Sequence, residues 1–450
     1  MESIAKGKIR KRTDRGEFLK GAAWIAGGGF VAKLIGALYR IPLTNLIGGY
    51  GIGLYQLVYP VYCLLLTVSA TGIPASIAKL TAERIGKRQS AKPLFKTAMK
   101  LFLCIGLGGT LLMMALAPTL SAAQGSRAVL GGYYALAPSV LLVSAISVFR
   151  GWFQGQNKMY PTALSEMTEQ AVKVGLGLLF AYLFRDDVER AVVFLLLAVS
   201  LSELAALAFM LFLFRRVPAP LESQNDGDKT AAKTVLRLSI PVTLSSILLP
   251  LSSLLDSVLA PRLLSAYAEN AVTLYGLFSG GAVTVISLPV SICYGIAAAS
   301  IPAVAAVGEE KNGRTRGKIF YALGVTAAVA LPSALGVYFA AGSISKLIFR
   351  SLSAQEQELL RGLIRAYAVS AFTLSCTQTL SACLTAQGKP QYAAISMAIA
   401  IAVKTLTYSV LLKNPKISIF GLAYATNLCY LVAFALDLVY NLYITRRKKE

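Results

Sequence analysis

The sequence predicts an all-α, polytopic membrane protein with about twelve transmembrane helices, in two parallel six-helix repeats around a central cavity. Three observations predict this fold class. Apolar residues make up 56% of the chain, apolar runs long enough to cross a hydrocarbon layer of roughly 30 Å recur from end to end, and one segment occurs twice. No soluble domain combines such a composition with runs of that length.

The apolar runs divide into two sets of six predicted spans. The first set covers residues 18–41, 53–78, 94–117, 131–151, 161–184 and 190–214. The second set covers residues 235–260, 272–301, 318–341, 363–385, 391–412 and 417–443.

The net charge of +23 comes mostly from cations that cluster in alternate loops. Basic clusters occur before the first span and after the second, sixth, eighth and twelfth spans. By the positive-inside rule, these loops and both termini are cytoplasmic, and nucleic acid is excluded as a partner. The predicted organisation is a basic N-terminus at 1–17, a bundle at 18–216, a linker at 217–232, a second bundle at 233–445 and a basic tail at 446–450.

The repeat is clearest where residues 155–173 align with residues 386–404. Two lysine pairs fall in register, Lys158 with Lys389 and Lys173 with Lys404. A weaker match aligns residues 53–60 with residues 273–280. Both copies begin after an odd number of spans, so the repeats are predicted to be parallel.

Charged residues lie inside several predicted spans. A charge at bilayer depth costs several kcal/mol on insertion scales, so such residues usually face a protein-lined cavity and mark a transported substrate or ion. The candidate site residues are Lys33, Arg40, Glu166, Glu169, Lys173, Asp256, Lys404 and Asp437.

Lys33 and Arg40 share one stripe of the first predicted helix. Arginine binds phosphate through two parallel hydrogen bonds and lysine adds a mobile point charge, so the stripe predicts a cavity for an anionic head group. The alternative is that Arg40 lies at the outer interface and that Lys33 snorkels or pairs with an acid.

Glu166, Glu169 and Lys173 share one face of the fifth predicted helix. An internal ion pair would leave one carboxylate over for proton transfer, and the alternative is a charge-neutralising brace near the cytoplasmic end. In the second repeat apolar residues replace both acids, so the partner of Lys404 must come from another helix. Asp256 and Asp437 are both candidates.

The composition also limits the chemistry. The chain has no histidine, no Walker loop and no Rossmann glycine pattern, and its six cysteines lie in apolar runs without metal-binding spacing. We therefore expect no enzymatic activity, cofactor or metal. Candidate hinges or helix breaks, with ordinary close helix packing as the alternative, are Gly36, Pro42, Pro60, Pro74, Pro241 and Pro250.

Residues 39–80 carry a family resemblance, through the Arg40-Ile41-Pro42 triplet, the turn at 51–55 and the Gly72-Ile73-Pro74 triplet. They resemble the stage V sporulation protein B and polysaccharide-exporter branch of the multidrug/oligosaccharidyl-lipid/polysaccharide (MOP) flippase superfamily. Its members are similar in fold to the lipid II flippases.

The resemblance implies an alternating-access flippase or exporter in the bacterial cytoplasmic membrane. Its expected substrate is a polyprenyl-diphosphate-linked saccharide, and cell-wall synthesis proteins are expected partners. Lys33 and Arg40 match the cavity cations of the lipid II flippases, and Asp256 and Asp437 match the helices that hold sodium sites in some relatives. The alternatives are a multidrug cation antiporter of the same superfamily and a non-transporting scaffold for cell-wall or spore-cortex synthesis.

Overall fold

The computed structural model describes residues 2–70, 72–217, 231–305 and 312–447, and these ranges contain sixteen α-helices and no strand. The helices of the first half are α1 (Glu2–Ala70), α2 (Ile73–Gly86), α3 (Lys92–Ala123), α4 (Leu130–Leu136), α5 (Pro138–Gly155), α6 (Tyr160–Leu183) and α7 (Val188–Arg216). Those of the second half are α8 (Ala231–Ser246), α9 (Leu248–Leu264), α10 (Ala271–Gly276), α11 (Val283–Ala305), α12 (Asn312–Ile348), α13 (Ala354–Tyr367), α14 (Val369–Ala386), α15 (Pro390–Leu411) and α16 (Phe420–Arg447). The all-α, multi-span prediction is confirmed.

Eight helical stretches in the described ranges are long and apolar enough to cross a membrane, and α13 with α14, bent by 40°, would make a ninth. Helix α6 is not among them because three charged side chains interrupt its 24 residues. The predicted span 235–260 is divided between α8 and α9, and each piece is shorter than 18 residues. The count of twelve spans stays a prediction.

The first two predicted spans are separated within the range of α1, as the sequence predicts. The backbone of Gly48 is not helical, with φ of 69° and ψ of −175°, so α1 consists of two helical segments, residues 2–47 and 49–70, joined at this kink. This left-handed conformation has no steric cost for glycine because glycine lacks a Cβ atom. The residues of the predicted turn at 51–55 are helical. A second interruption lies inside the predicted span 53–78, because α1 ends at Ala70 and α2 begins at Ile73.

The repeat is visible in the backbone. Helices α5 and α14 end at the aligned residues Gly155 and Ala386. Two residues farther on, Asn157 and Gly388 both have a positive φ, of 60° and 73°. Each is followed within three residues by the next helix, α6 or α15.

The second segment of α1 packs directly against α10, its counterpart in the weaker repeat match. A Cβ atom on Gly276 would lie 2.5 Å from the carbonyl oxygen of Gly49, so only glycine permits this approach. The Gln56 side chain donates a 2.8 Å hydrogen bond to the Ser279 carbonyl across the same contact. We call this contact, formed by Gly49, Gln56, Gly276 and Ser279, the repeat contact.

A second contact between the halves lies at the other end of the same stretch of chain. Helix α8 packs on α2 and α3, and Ser239 Oγ lies 3.0 Å from Ser76 Oγ. Residues 49 and 70, within the second segment of α1, are separated by about 32 Å of helix at 1.5 Å per residue. The space between the two halves is therefore bounded by the repeat contact at one end and by α8 near the other.

Candidate functional site

A cavity of about 350 Å³ lies between α1 and the helices of the second half. Polar and aromatic side chains line it together, as in small-molecule sites with a few placed polar groups. The lining residues used below are Arg40, Gln56, Ser252, Asp256, Lys404 and Tyr430. Asp256 is the only acidic residue among the described residues that line this cavity.

Arg40 contributes a cation to the cavity from the first segment of α1. Its guanidinium group donates a hydrogen bond of 3.4 Å to Thr284 Oγ1 on α11. Among the described residues, no carboxylate oxygen lies within 4.0 Å of this guanidinium group. Arg40 therefore reaches the second half and keeps most of its hydrogen-bond donors available.

The other predicted cation of the first helix, Lys33, lies on α1. Its side chain is outside the described residues. Its predicted place in the cavity stays a prediction.

The opposite wall holds an ion pair between Lys404 on α15 and Asp256 on α9. Lys404 also donates a 3.1 Å hydrogen bond to Ser252 Oγ. The side chains are 6% and 13% exposed, and Asp256 Oδ1 has no hydrogen-bond partner. Of the two partners left open by the sequence, the structure brings Asp256 to Lys404.

Asp437 lies on α16, away from the residues that line the cavity. It is 1% exposed, and Ser381 Oγ donates a 2.5 Å hydrogen bond to its Oδ2 atom. Its Oδ1 atom has no partner, and no described cation lies within 4.0 Å of the carboxylate. Asp437 and Asp256 therefore do not form one site in this structure.

The acids of α6 contact an arginine that the sequence prediction omits. Arg150 on α5 lies 3.2 Å from Glu169 and 4.0 Å from Glu166, and it also donates to Ser165 Oγ. This geometry corrects the predicted internal ion pair, because Lys173 has no carboxylate within 4.0 Å among the described residues. Lys173 and Glu169 have the i, i+4 spacing that allows an ion pair, but the Glu169 carboxylate contacts Arg150 of α5 instead.

Glu203 on α7 also belongs to this region. It is 4% exposed, and the Tyr62 hydroxyl donates a 3.2 Å hydrogen bond to its Oε1 atom. Lys173 lies close enough to Glu169 and Glu203 to interact electrostatically with both. The sequence prediction omits Glu203, although a lone acid inside the span 190–214 is the kind of residue on which that prediction rests. We call Arg150, Glu166, Glu169, Lys173 and Glu203 the N-half charge cluster.

Comparison with known proteins decides the family. Residues 18–307 match the family described as polysaccharide biosynthesis protein, which is more than half of the chain. The chain belongs to this polysaccharide biosynthesis family. Its sequence relatives include a sporulation protein and a lipid II flippase.

Two relatives come from Bacillus subtilis (strain 168). The family member is 28% identical to stage V sporulation protein B over 308 residues, which is 66% of this chain and 59% of that protein. It is 27% identical to the lipid II flippase MurJ over 174 residues, which is 35% of this chain and 31% of the flippase. The chain thus spans less than two thirds of the length of each of these relatives.

A solved structure supports the fold. The inward-facing conformation of a multidrug resistance MATE family transporter of the MOP superfamily matches with a TM-score of 0.79 and 18% identity. The match covers 93% of this chain and 95% of the transporter. At this identity the likeness shows the fold of the polysaccharide biosynthesis family member.

The predicted hinge residues of this family member occupy different places. Pro74 and Pro250 lie in the first turns of α2 and α9, each shortly after the preceding helix ends. Pro42 and Pro60 lie inside α1, which does not break at either residue, because the unusual backbone conformation falls on Gly48 instead. The Pro241 side chain is outside the described residues.

Gly36 brings α1 close to α6. A Cβ atom there would lie 3.3 Å from the Gln170 Oε1 atom. Within the described ranges no group of three or more His, Cys, Asp or Glu residues could hold a metal ion.

Proposed function

We propose that the chain is an alternating-access flippase that moves a polyprenyl-diphosphate-linked saccharide from the inner to the outer leaflet of the bacterial cytoplasmic membrane. The observation that carries this proposal is Arg40. It places a guanidinium group without a carboxylate partner among the described residues at a cavity between the two halves. A diphosphate would provide the paired oxygen atoms that an arginine fork binds.

The charge balance of the cavity favours an anionic substrate. Asp256 is neutralised by Lys404, so Arg40 leaves the described lining with a net positive charge. A site for cationic drugs would require the opposite balance. The name of the lipid II flippase relative supports the same class of substrate.

The repeat contact and the contact of α8 with α2 and α3 support a rocking motion of two bundles, with boundaries at 18–216 and 233–445 and a linker at 217–232. The repeat contact would separate when the cavity opens at that end, and the contact of α8 with α2 and α3 would separate when it opens at the other. The polyprenyl tail would stay in the bilayer during this exchange. No covalent step is required.

The basic loops support an orientation with both termini, 1–17 and 446–450, in the cytoplasm. In that orientation the repeat contact faces outward and α8 lies near the cytoplasmic side. Synthesis of the substrate and its later polymerisation would then require cell-wall enzymes as partners on the two sides.

The N-half charge cluster and Asp437 are the proposed coupling groups. The cluster contains three acids and two cations, and Glu203 contacts Tyr62 with no cation within 4.0 Å among the described residues. A buried acid without a close counter-ion is suited to bind a proton. We therefore propose Glu203, rather than Glu166 or Glu169, as the proton-binding residue of the cluster.

The proposal is tested by measuring the transport rate of the Arg40→Gln variant in liposomes, with a fluorescent polyprenyl-diphosphate saccharide as the substrate. Loss of two charge-assisted bonds should lower the transport rate by about ten- to a hundredfold. Arg262→Gln, an exposed arginine outside the cavity, is the matched control and should keep the wild-type rate. An unchanged rate in Arg40→Gln would remove the cavity cation from the mechanism.

A further inference from the structure

We propose that Lys404 is a second cation of the anion site. In the structure it is paired with Asp256, and the diphosphate of the substrate displaces Asp256 from it. This inference rests on the proposed function, because it concerns how the same cavity binds the diphosphate. It adds a second cation, contributed by the opposite half of the molecule. The diphosphate would then bridge Arg40 on α1 and Lys404 on α15.

Arg40 and Lys404 line the same cavity of about 350 Å³, although they lie on helices of different halves. An anion with two charged phosphate groups can contact both, whereas a monovalent anion satisfies only one. Simultaneous contact with both halves is what allows a substrate to influence their relative position.

The Lys404 ammonium group has two polar contacts among the described residues. Only one oxygen of Asp256 contacts the ammonium group, and the other oxygen, Oδ1, has no partner. The other contact of the lysine is a neutral hydroxyl, that of Ser252. A monovalent carboxylate that binds through one oxygen competes poorly with a multiply charged diphosphate at the same ammonium group.

The Lys404–Asp256 ion pair would form again when the diphosphate leaves. While the diphosphate holds Lys404, Asp256 is left as an unpaired charge in a mostly buried site, which is strongly unfavourable. Re-formation of the pair therefore favours release of the diphosphate. Asp256 acts here as an internal competitor that limits affinity and speeds turnover.

The inference predicts an order of affinities that a purely structural ion pair would not give. The probe is farnesyl diphosphate, and binding is measured by calorimetry on the full chain in detergent. Asp256→Asn should bind it about tenfold more tightly than the wild type, because the competitor is gone. In a transport assay the same variant should turn over more slowly.

The double variant D256N/K404Q is decisive because it keeps the net charge of the wild type and leaves no unpaired buried charge. It should bind farnesyl diphosphate about tenfold more weakly than the wild type, since the second cation is lost. The control is E358Q/R361Q, which removes a 3.0 Å ion pair on α13 outside the cavity lining and should bind like the wild type.

The outcomes separate the two proposals. If the wild type binds farnesyl diphosphate, Arg40→Gln weakens that binding and D256N/K404Q equals the wild type, the Lys404–Asp256 pair is structural and this inference is wrong. If the wild type does not bind the probe, the proposed function fails first. Should Asp256→Asn not fold, the comparison of the double variant with the wild type still decides.

Discussion

Lys173 and Lys404 occupy equivalent positions of the repeat, yet their surroundings differ. Lys404 pairs directly with Asp256 of another helix, at the wall of the cavity. Lys173 has no carboxylate within 4.0 Å among the described residues, and the acids of its own helix contact Arg150 instead. The repeat therefore preserves the position of the lysine in the backbone but not its partner.

The charges around the two lysines also differ in their position relative to the cavity. The described charges of the N-half cluster mostly contact one another, and none of its five members lines the cavity. The pair in the second half is open to the cavity and has an unused acceptor, Asp256 Oδ1. One copy of the repeat thus holds its described charges inside its bundle, while the other presents charge to the cavity.

The largest expected loss of stability follows from substitution of Arg150. Arg150→Met removes the cation that contacts Glu166 and Glu169 and leaves two partly buried carboxylates without it. We expect the free energy of unfolding to fall by about 3–4 kcal/mol, near the lower end of the cost of breaking a buried ion pair from one side, because two contacts are lost together. Thermal unfolding in detergent measures it, with the exposed Arg262→Met as the control. An unchanged melting temperature would mean that the acids depend on another group.

The two equivalent lysines provide the second test. Lys404→Met should destabilise the protein by about 3 kcal/mol because Asp256 is left buried without its partner. Lys173→Met should cost less than about 1 kcal/mol because no direct ion pair is broken. Addition of Asp256→Asn to Lys404→Met should restore most of the loss. Equal losses at the two lysines would contradict the contrast between the halves.

The smallest effect should come from Tyr62. Tyr62→Phe removes the hydroxyl that donates to Glu203 and should cost about 1–2 kcal/mol, since a buried acceptor loses its donor. The matched control is Tyr50→Phe, which removes a 3.1 Å bond to the exposed Glu189 and should cost less than about 0.5 kcal/mol. If both variants unfold like the wild type, Tyr62 does not hold Glu203 in place.

Much of the candidate site could be predicted because a charge inside an apolar run is visible in the sequence. That criterion identifies Arg40, Asp256 and Lys404, which do meet at one cavity. It does not identify partners, because a helix carries its side chains around its whole surface and only packing decides which face meets which neighbour. Arg150 therefore escaped prediction, since its role depends on the approach of α5 to α6.

The sequence by itself determined the all-α membrane class, the repeat and its register, because hydropathy and periodicity are properties of the chain alone. It also required Lys404 to find an acid on another helix, since no acid stands where Glu166 and Glu169 stand in the first copy. Only the tertiary structure decided that this acid is Asp256, that Asp437 is apart, and that the kink lies at Gly48. These outcomes depend on distances between helices, which close packing sets and local sequence does not encode.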